Sequence, residues 1–258
     1  DLYGGLSLHG KLINVLKSDF DKLYNNRDII AIKKALGLQE KLDYRNIEDI
    51  KTLRYGRVLL APDADNDGIH ISCLMLTYFC TKFEGLVLHG IIYLLRTPVV
   101  RAVHKKTGQY IEFLNLSIFL EWCSKNDPKD YDIKYYKGLG TSTLEDTRKD
   151  VENPHIIQFK LDEQAIERIK MAFGKMDKVK KREWFYNWTK SESLDMSKIK
   201  VLPITDYINH ELPLYVVESV IRAIPNIYDG LKDAQRKALF AAKHKLKSLK
   251  AESKVEQI

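Results

Sequence analysis

The chain has 258 residues, enough for one large domain or two smaller ones. Hydrophobic residues make up 45% of it, which supplies a core and excludes global disorder. Its formal charge of +7 favours an anionic partner without by itself selecting nucleic acid.

The opening "DLYGGL" has no initiator Met and no charged-then-apolar leader, so it reads as the interior of a longer protein. "NNRDIIAIKKALGL" has helical spacing, with Asn26 or Asp28 as its cap and Gly37 at its end. "RVLLAP" is a short apolar run closed by Pro62 and predicts a buried strand. The acidic stretch "DADND" follows, and then "GIHISCLMLTYFCTKFEGL", which is apolar on nearly all sides and predicts a helix packed on both faces. Its core "CLMLTYFC" is far short of the roughly 20 residues a membrane span needs. Cys73, Cys80 and Cys123 lack metal-ligand spacing, and an odd, sparse count fits a reducing compartment. With the next apolar run, "GIIYLLRTPVV", the segment predicts a βαβ unit and a parallel sheet.

Further on, "GQYIEFLNLSIFLEWCSKN" predicts a strand and a helix. "YDIKYYKGLGTSTLEDTRKDV" predicts a strand, a glycine-rich turn and a helix capped by Thr141 or Ser142, with Glu145 supporting its first turn. Residues 162–190 form a charged helical stretch with the basic run "KMDKVKKREW". "TKSESLDMSKIK" is polar and aperiodic, as a linker would be. From residue 203 onward the pattern is helical, in "ITDYINHELPLYVVESVIRAIPN" and "YDGLKDAQRKALFAAKHKLKSLK". No internal repeat is present.

The acidic stretch "APDADNDGIHI" places Asp63, Asp65 and Asp67 at alternate positions, and like charges this close repel unless something offsets them. An EF-hand loop would need a bidentate Glu at its twelfth position, which counted from Asp63 is Leu74, and a helix rather than a strand before it. A haloacid-dehalogenase-type aspartyl phosphohydrolase motif, D-x-D-G-T, would need a hydroxyl where Ile69 stands. A solvated surface turn is the commonest meaning of clustered acids, but a strand–helix turn is where open α/β sheets place their ligands. A magnesium site fits best, since Mg²⁺ takes oxygen ligands from one or two carboxylates and substrate phosphate, and a cation removes the repulsion.

Taken together, "TLRYGRVLLAPDADNDGIHI", "KYYKGLGTST" and "IPNIYDGLKDAQRKALF" resemble the TOPRIM module and the start of the breakage-reunion region of type IIA DNA topoisomerases, eukaryotic-type enzymes and their viral relatives above all. "DLYGGLSLHGKLINV", "IKKALGLQ", "TPVV", "REWFYNW" and "DYINHELPLY" extend the resemblance over nearly the whole chain. D-x-D-x-D-G, K-G-L-G-T and D-G-L-K-x-x-Q-R-K in this order are specific together, where none is alone. The chain departs from the family at His9, where P-L-R-G-K has Arg, at Pro62 in place of Thr, and at Asp233-Ala234 in place of Pro-Gly.

The resemblance implies a fold and a set of roles. The fold is α/β, a TOPRIM Rossmann-like parallel sheet flanked by helices, then a mainly helical segment leading into a winged-helix domain. Residues 1–190 would be the TOPRIM domain with a helical extension, 191–204 a linker, and 205–258 the start of the breakage-reunion region. Asp63 and Asp65 would be catalytic, and Asp63, Asp65 and Asp67 would hold Mg²⁺, for which Mn²⁺ or Ca²⁺ can substitute. Gly68 lets the helix start close to the site. His9, Lys11, Lys137, Gly138, Arg236 and Lys237 would face DNA. His70 belongs to packing rather than catalysis. The run "KVKKRE" and the tail lysines Lys243, Lys245, Lys247 and Lys250 read as solvated faces able to add salt-dependent affinity.

The implied activity is that of an ATP-dependent, double-strand-passing DNA topoisomerase working through a phosphotyrosine link. The metal-binding Glu of E-G-D-S-A, the nucleophilic Tyr and the ATP-binding domain are not found among these motifs, so this piece alone is expected to be inactive. The implied partners are double-stranded DNA and a second copy in the full-length enzyme, with no membrane. The implied location is the nucleus, or a cytoplasmic replication site for a viral enzyme. A non-catalytic DNA- or metal-binding TOPRIM module is the alternative of a different class. A TOPRIM nuclease or primase gives "DGLKDAQRK" no reason to follow.

Overall fold

The computed structural model describes residues 3–136, 143–152, 154–175, 178–188 and 194–245. Its backbone divides into two compact units, Asp1–Pro213 and Leu214–Ile258.

The first unit opens with helices α1 (Phe20–Tyr24), α2 (Arg27–Leu36) and α3 (Ile47–Ile50). The Asn26 side chain accepts the Ile29 amide, which makes Asn26 rather than Asp28 the cap of α2, and Gly37 closes that helix at φ 75°. Strand β1 (Val58–Leu60) leads through the acidic turn into α4 (Asn66–Lys82) and α5 (Glu84–Leu88), and β2 (Ile92–Arg96) returns beside β1 in parallel. The predicted βαβ unit is therefore present. Helix α4 is buried along most of its length, with Leu76 and Phe79 fully enclosed, as expected of a helix with no polar face.

Chain order then builds a second sheet from β3 (Val100–His104), β4 (Tyr110–Phe113), α6 (Leu116–Lys125) and β5 (Tyr131–Tyr135). Its strand order is β4-β3-β5, antiparallel throughout. The run "GIIYLLRTPVV" thus serves two sheets, β2 in one and the start of β3 in the other. Phe113 and Phe119 pack edge-on at 5.2 Å beneath this second sheet. Helix α7 (Leu144–Glu152) follows, and its first turn is set by Thr143, whose hydroxyl accepts the Asp146 amide and donates to the Asp146 carboxylate. Thr141 and Ser142, the expected caps, lie outside the described residues.

Strand β6 (His155–Lys160) completes the link to the first sheet, running antiparallel to β2, with β7 (Val201–Pro203) parallel to β6 on its far side. The sheet order is β1-β2-β6-β7. It is mixed: the expected parallel pairing holds at β1–β2 and β6–β7, and the reversal falls at β6, which sequence periodicity did not isolate. Two aromatic rings, Phe159 of β6 and Tyr207, meet edge-on at 5.1 Å in its core. Helices α8 (Ala165–Phe173) and α9 (Lys178–Asn187) precede β7. The stretch expected as a linker at 191–204 therefore contributes an edge strand, anchored by the buried Met196 and Leu202. Three residues ending in Pro203 are too short a strand for a period to register. After α10 (Ile204–Asp206) comes a π-helical turn at Tyr207–Glu211.

The described part of the second unit is mainly helical. Helix α11 (Leu212–Ala223) runs into it, and α12 (Asp233–Lys245) follows a turn through Asp229 and Gly230. The Arg236 guanidinium grips both carboxylate oxygens of Asp229 at 2.8 and 2.9 Å and reaches Asp233 at 2.9 Å. This clamp holds Asp229 well into its ionised form, at about 2.

Candidate metal and DNA site at the acidic turn

The acidic turn is built by a strand that ends and a helix that begins almost at once. β1 runs out at Leu60, and Asp65 already caps α4, its Oδ1 accepting the Gly68 amide at 2.8 Å. That bond orients one carboxylate at the positive end of a long helix. Gly68 is required for the geometry: a Cβ there would lie 2.1 Å from the Asp63 carbonyl oxygen. The turn thus folds the Asp63 backbone directly against the first turn of α4.

The three acids are handled differently. Asp63 and Asp65 are exposed at the turn. Asp67 is partly covered and its Oδ1 accepts from the Lys11 ammonium at 2.7 Å. Lys11 of the "HGK" segment is thereby brought to the acidic turn. His9 instead meets Asp28 of α2 at 3.4 Å. Among the described residues, no three His, Cys, Asp or Glu side chains converge as a metal cage. The donor set is all-oxygen and partly committed to Gly68 and Lys11, which suits a hard cation held by one or two carboxylates and completed by water or phosphate oxygens. Since Lys11 and Asp67 keep 38% and 32% of their side-chain surface, Lys11→Gln is expected to cost only about 0.5 kcal/mol in urea denaturation.

His70, one turn into α4, stacks on Phe173 with ring centroids 6.0 Å apart and planes 11° apart. Burial, helped by the Lys11 charge, lowers its pKa to about 4, so it stays neutral near pH 7. That agrees with a packing role. Asn14, which sequence reasoning passed over, donates its Nδ2 to the Phe173 carbonyl at 2.9 Å and ties the chain start to the end of α8. A lone Asn in an apolar stretch carries no motif, and only the 159-residue separation of its partner explains it.

Of the remaining expected DNA contacts, Lys137 and Gly138 lie outside the described residues. Arg236 and Lys237 are on α12 in the second unit. Arg236 is engaged in the Asp229 clamp, whereas Lys237 is 81% exposed and only loosely near Asp233, at 3.6 Å.

These features define a TOPRIM-type α/β unit with an acidic strand–helix turn. Residues 95–220 match the family of C-terminal associated domains of TOPRIM. The chain is 36% identical to DNA topoisomerase 2 of Saccharomyces cerevisiae over 264 aligned residues, covering all of this chain and 18% of that protein. It is 38% identical to DNA topoisomerase 2 of Drosophila melanogaster, with 93% of this chain and 18% of that protein covered. It also superposes on the DNA-binding, cleavage and re-ligation domain of Plasmodium falciparum topoisomerase II with a TM-score of 0.76 at 34% identity, covering 96% of this chain and 34% of that one. The chain belongs to the type IIA DNA topoisomerase family and spans about a fifth of the length of the curated relatives it matches.

Proposed function

We propose that this chain is the metal-holding, DNA-facing part of an ATP-dependent type II DNA topoisomerase. The observation that carries the reading is the acidic turn itself, with Asp65 fixed by the Gly68 amide and Lys11 delivered to Asp67 beside it. In this reading Asp63 and Asp65 hold Mg²⁺ at the scissile phosphate of duplex DNA. The bound ion would stabilise charge on the reacting phosphoryl oxygens. Lys11 sets the position of Asp67 and adds positive charge where a phosphate approaches. Asp65 keeps its orientation through the helix amide whether or not an ion is present. Gly68 keeps the Asp63 backbone close to α4. His9, Lys137, Gly138, Arg236 and Lys237 complete the DNA-facing set. For Arg236 this requires the guanidinium to share or leave its hold on Asp229.

The reading assigns the nucleophilic Tyr, the further metal-binding Glu and ATP hydrolysis to other parts of the enzyme, which would act as a homodimer. A nuclear location is part of this reading, supported by similarity to DNA topoisomerase 2 of eukaryotes, although one relative is a mitochondrial enzyme of Dictyostelium discoideum. A viral replication site has no support from these relatives.

Titration of the chain with Mn²⁺ by calorimetry tests the reading. Wild type is expected to bind, and Asp63→Asn to bind about tenfold more weakly, because the amide keeps an oxygen donor but loses the charge. Asp67→Asn should lose less, since one Asp67 oxygen already serves Lys11. Equal affinity in wild type and Asp63→Asn would reject the assignment. A chain that binds duplex DNA but no Mn²⁺ would instead be a non-catalytic DNA-binding module.

A further inference from the structure

The basic run at 175–182 is left unused by the site described above. Helix α9 has no fully buried residue, and its half-buried Trp184 and Phe185 lie on its inner side. Polar contacts add to this along the same side. Lys181 donates to the Ala172 and Gly174 carbonyls at 3.1 and 3.0 Å, and Trp184 donates to Asn209 Oδ1 at 3.0 Å. Positions 181, 184 and 188 share a helical face, so that face looks inward. Lys178, Arg182 and Tyr186, at spacing i, i+4 and i+8, form a row on another side, and all three are exposed. Lys180 and Lys175 are exposed beside them, and Glu183 is the acid the described part of α9 carries.

Three contacts connect this helix to the acidic turn. His70 of α4 stacks on Phe173, the last residue of α8. Asn14 bonds to the Phe173 carbonyl, three residues along the chain from Lys11 and three before Lys17. Lys17 lies close enough to Lys181 that, after burial, its charge is the next cause lowering the Lys181 pKa. The buried Phe173 and the Asn14 bond to its carbonyl thus hold the segment carrying Lys11 and Lys17 against the end of α8, next to the start of α9. Among the described residues, no ion pair engages Lys17, Lys175, Lys178, Lys180 or Arg182. Lys17, Lys175, Lys178, Lys180 and Arg182 outnumber Glu183 on this strip, and such a net positive surface is complementary to a polyanion lying along it.

We propose that Lys17 and the Lys178–Arg182 row of α9 form a second phosphate-contacting surface, which tracks the backbone of the same duplex DNA away from the phosphate held at the acidic turn. The inference rests on the DNA-facing reading above. It adds the direction in which the duplex leaves the site. Lysine and arginine on a helix row carry no base code, so the contact is sequence-independent and acts through release of condensed counterions.

The test is the salt dependence of binding to a fluorescein-labelled 30-base-pair duplex, followed by anisotropy with the whole chain. Lys178→Gln/Arg182→Gln removes two surface charges that hold nothing in the fold. Lys106→Gln/Lys129→Gln removes two exposed charges from the loops of the second sheet and matches the change in net charge. If each lost contact flattens the slope of log Kobs against log salt by about 0.9, the α9 variant loses on the order of tenfold less affinity than wild type between about 50 and 200 mM salt. Its affinity at the lower salt falls by a similar factor, while the matched control stays near wild type. Slopes for the two variants that agree with each other overturn the proposal and leave the metal-site reading standing. A wild-type chain that binds no duplex overturns both.

Discussion

Gly68→Ala is expected to weaken Mn²⁺ binding by roughly ten- to hundredfold, the range seen when the residues that orient metal ligands are disturbed. The cause is steric rather than conformational. A Cβ at this position would sit 2.1 Å from the Asp63 carbonyl oxygen, 3.0 Å from its carbon and 3.1 Å from Pro62 Cβ. Two of the three are backbone atoms, which cannot rotate away as a flexible side chain would. Relief requires a shift of about 1 Å, and the surroundings decide what moves. Helix α4 is packed on all sides, and β1 is registered against β2 from Val58–Ile92 to Leu60–Leu94. The turn is the softest part, so Asp63 and the Asp65 cap move.

The accompanying loss of stability should be about 1–3 kcal/mol, as for other overpacked sites. Calorimetric titration and urea denaturation of the same samples separate the two effects. If the variant melts early yet binds Mn²⁺ like wild type, the close approach matters to the fold but not to the acidic turn, and the role given to Gly68 fails.

The contrast between what the sequence disclosed and what it concealed follows from range. The acidic turn was legible because its logic is local: Asp65 caps three residues ahead, and Gly68 clears an oxygen five residues back. Helix α2 was legible for the same reason, through Asn26 and Gly37. The reversal at β6 was not, because "HIIQFK" is as good a strand in either direction and its direction is fixed only by pairing with β2 more than sixty residues earlier. β7 was hidden by its length. The partnership of Lys11 with Asp67 spans 56 residues and was not legible either, since the resemblance marks Lys11 only as DNA-facing. Asn14 with Phe173 did not emerge at all: Asn14 lies in the matched opening segment, but nothing local marks it for a partner 159 residues away.

The largest stability effect is expected at Arg101, which no pattern in the sequence singles out. It lies on β3 with only 2% of its surface exposed. Its guanidinium donates to Glu112 at 2.9 Å, to Asp146 at 2.7 Å, to Asp150 at 3.0 Å and to the Tyr136 hydroxyl at 3.2 Å. The rings of Tyr110 and Tyr136 each lie 5.5 Å from it. One cation therefore joins β4 and α7 to the centre of the second sheet. Arg101→Met should cost about 3–5 kcal/mol in urea denaturation, because it strands several carboxylates in a partly buried site. Arg101→Lys should recover only part of this, since an ammonium cannot replace the planar fork.

The same network sets a pH dependence. Burial opposes ionisation of Asp146, but hydrogen bonds from Lys134, from the Thr143 amide and hydroxyl, and from Tyr136 outweigh it and hold the carboxyl far below its usual range. The folded-state value thus lies below the unfolded one. Its stabilising contribution is full above about pH 4 and is lost as the pH falls toward the folded value. Asp150 acts in the opposite sense: burial outweighs the attraction of Arg101 and raises its pKa, so its contribution is lost as the pH rises through its folded value. Asp146→Asn should therefore be less stable than wild type at pH 7, and the gap should narrow as the pH falls below 4. A gap that stays constant between pH 7 and pH 3 would show that Asp146 is not held ionised by this network.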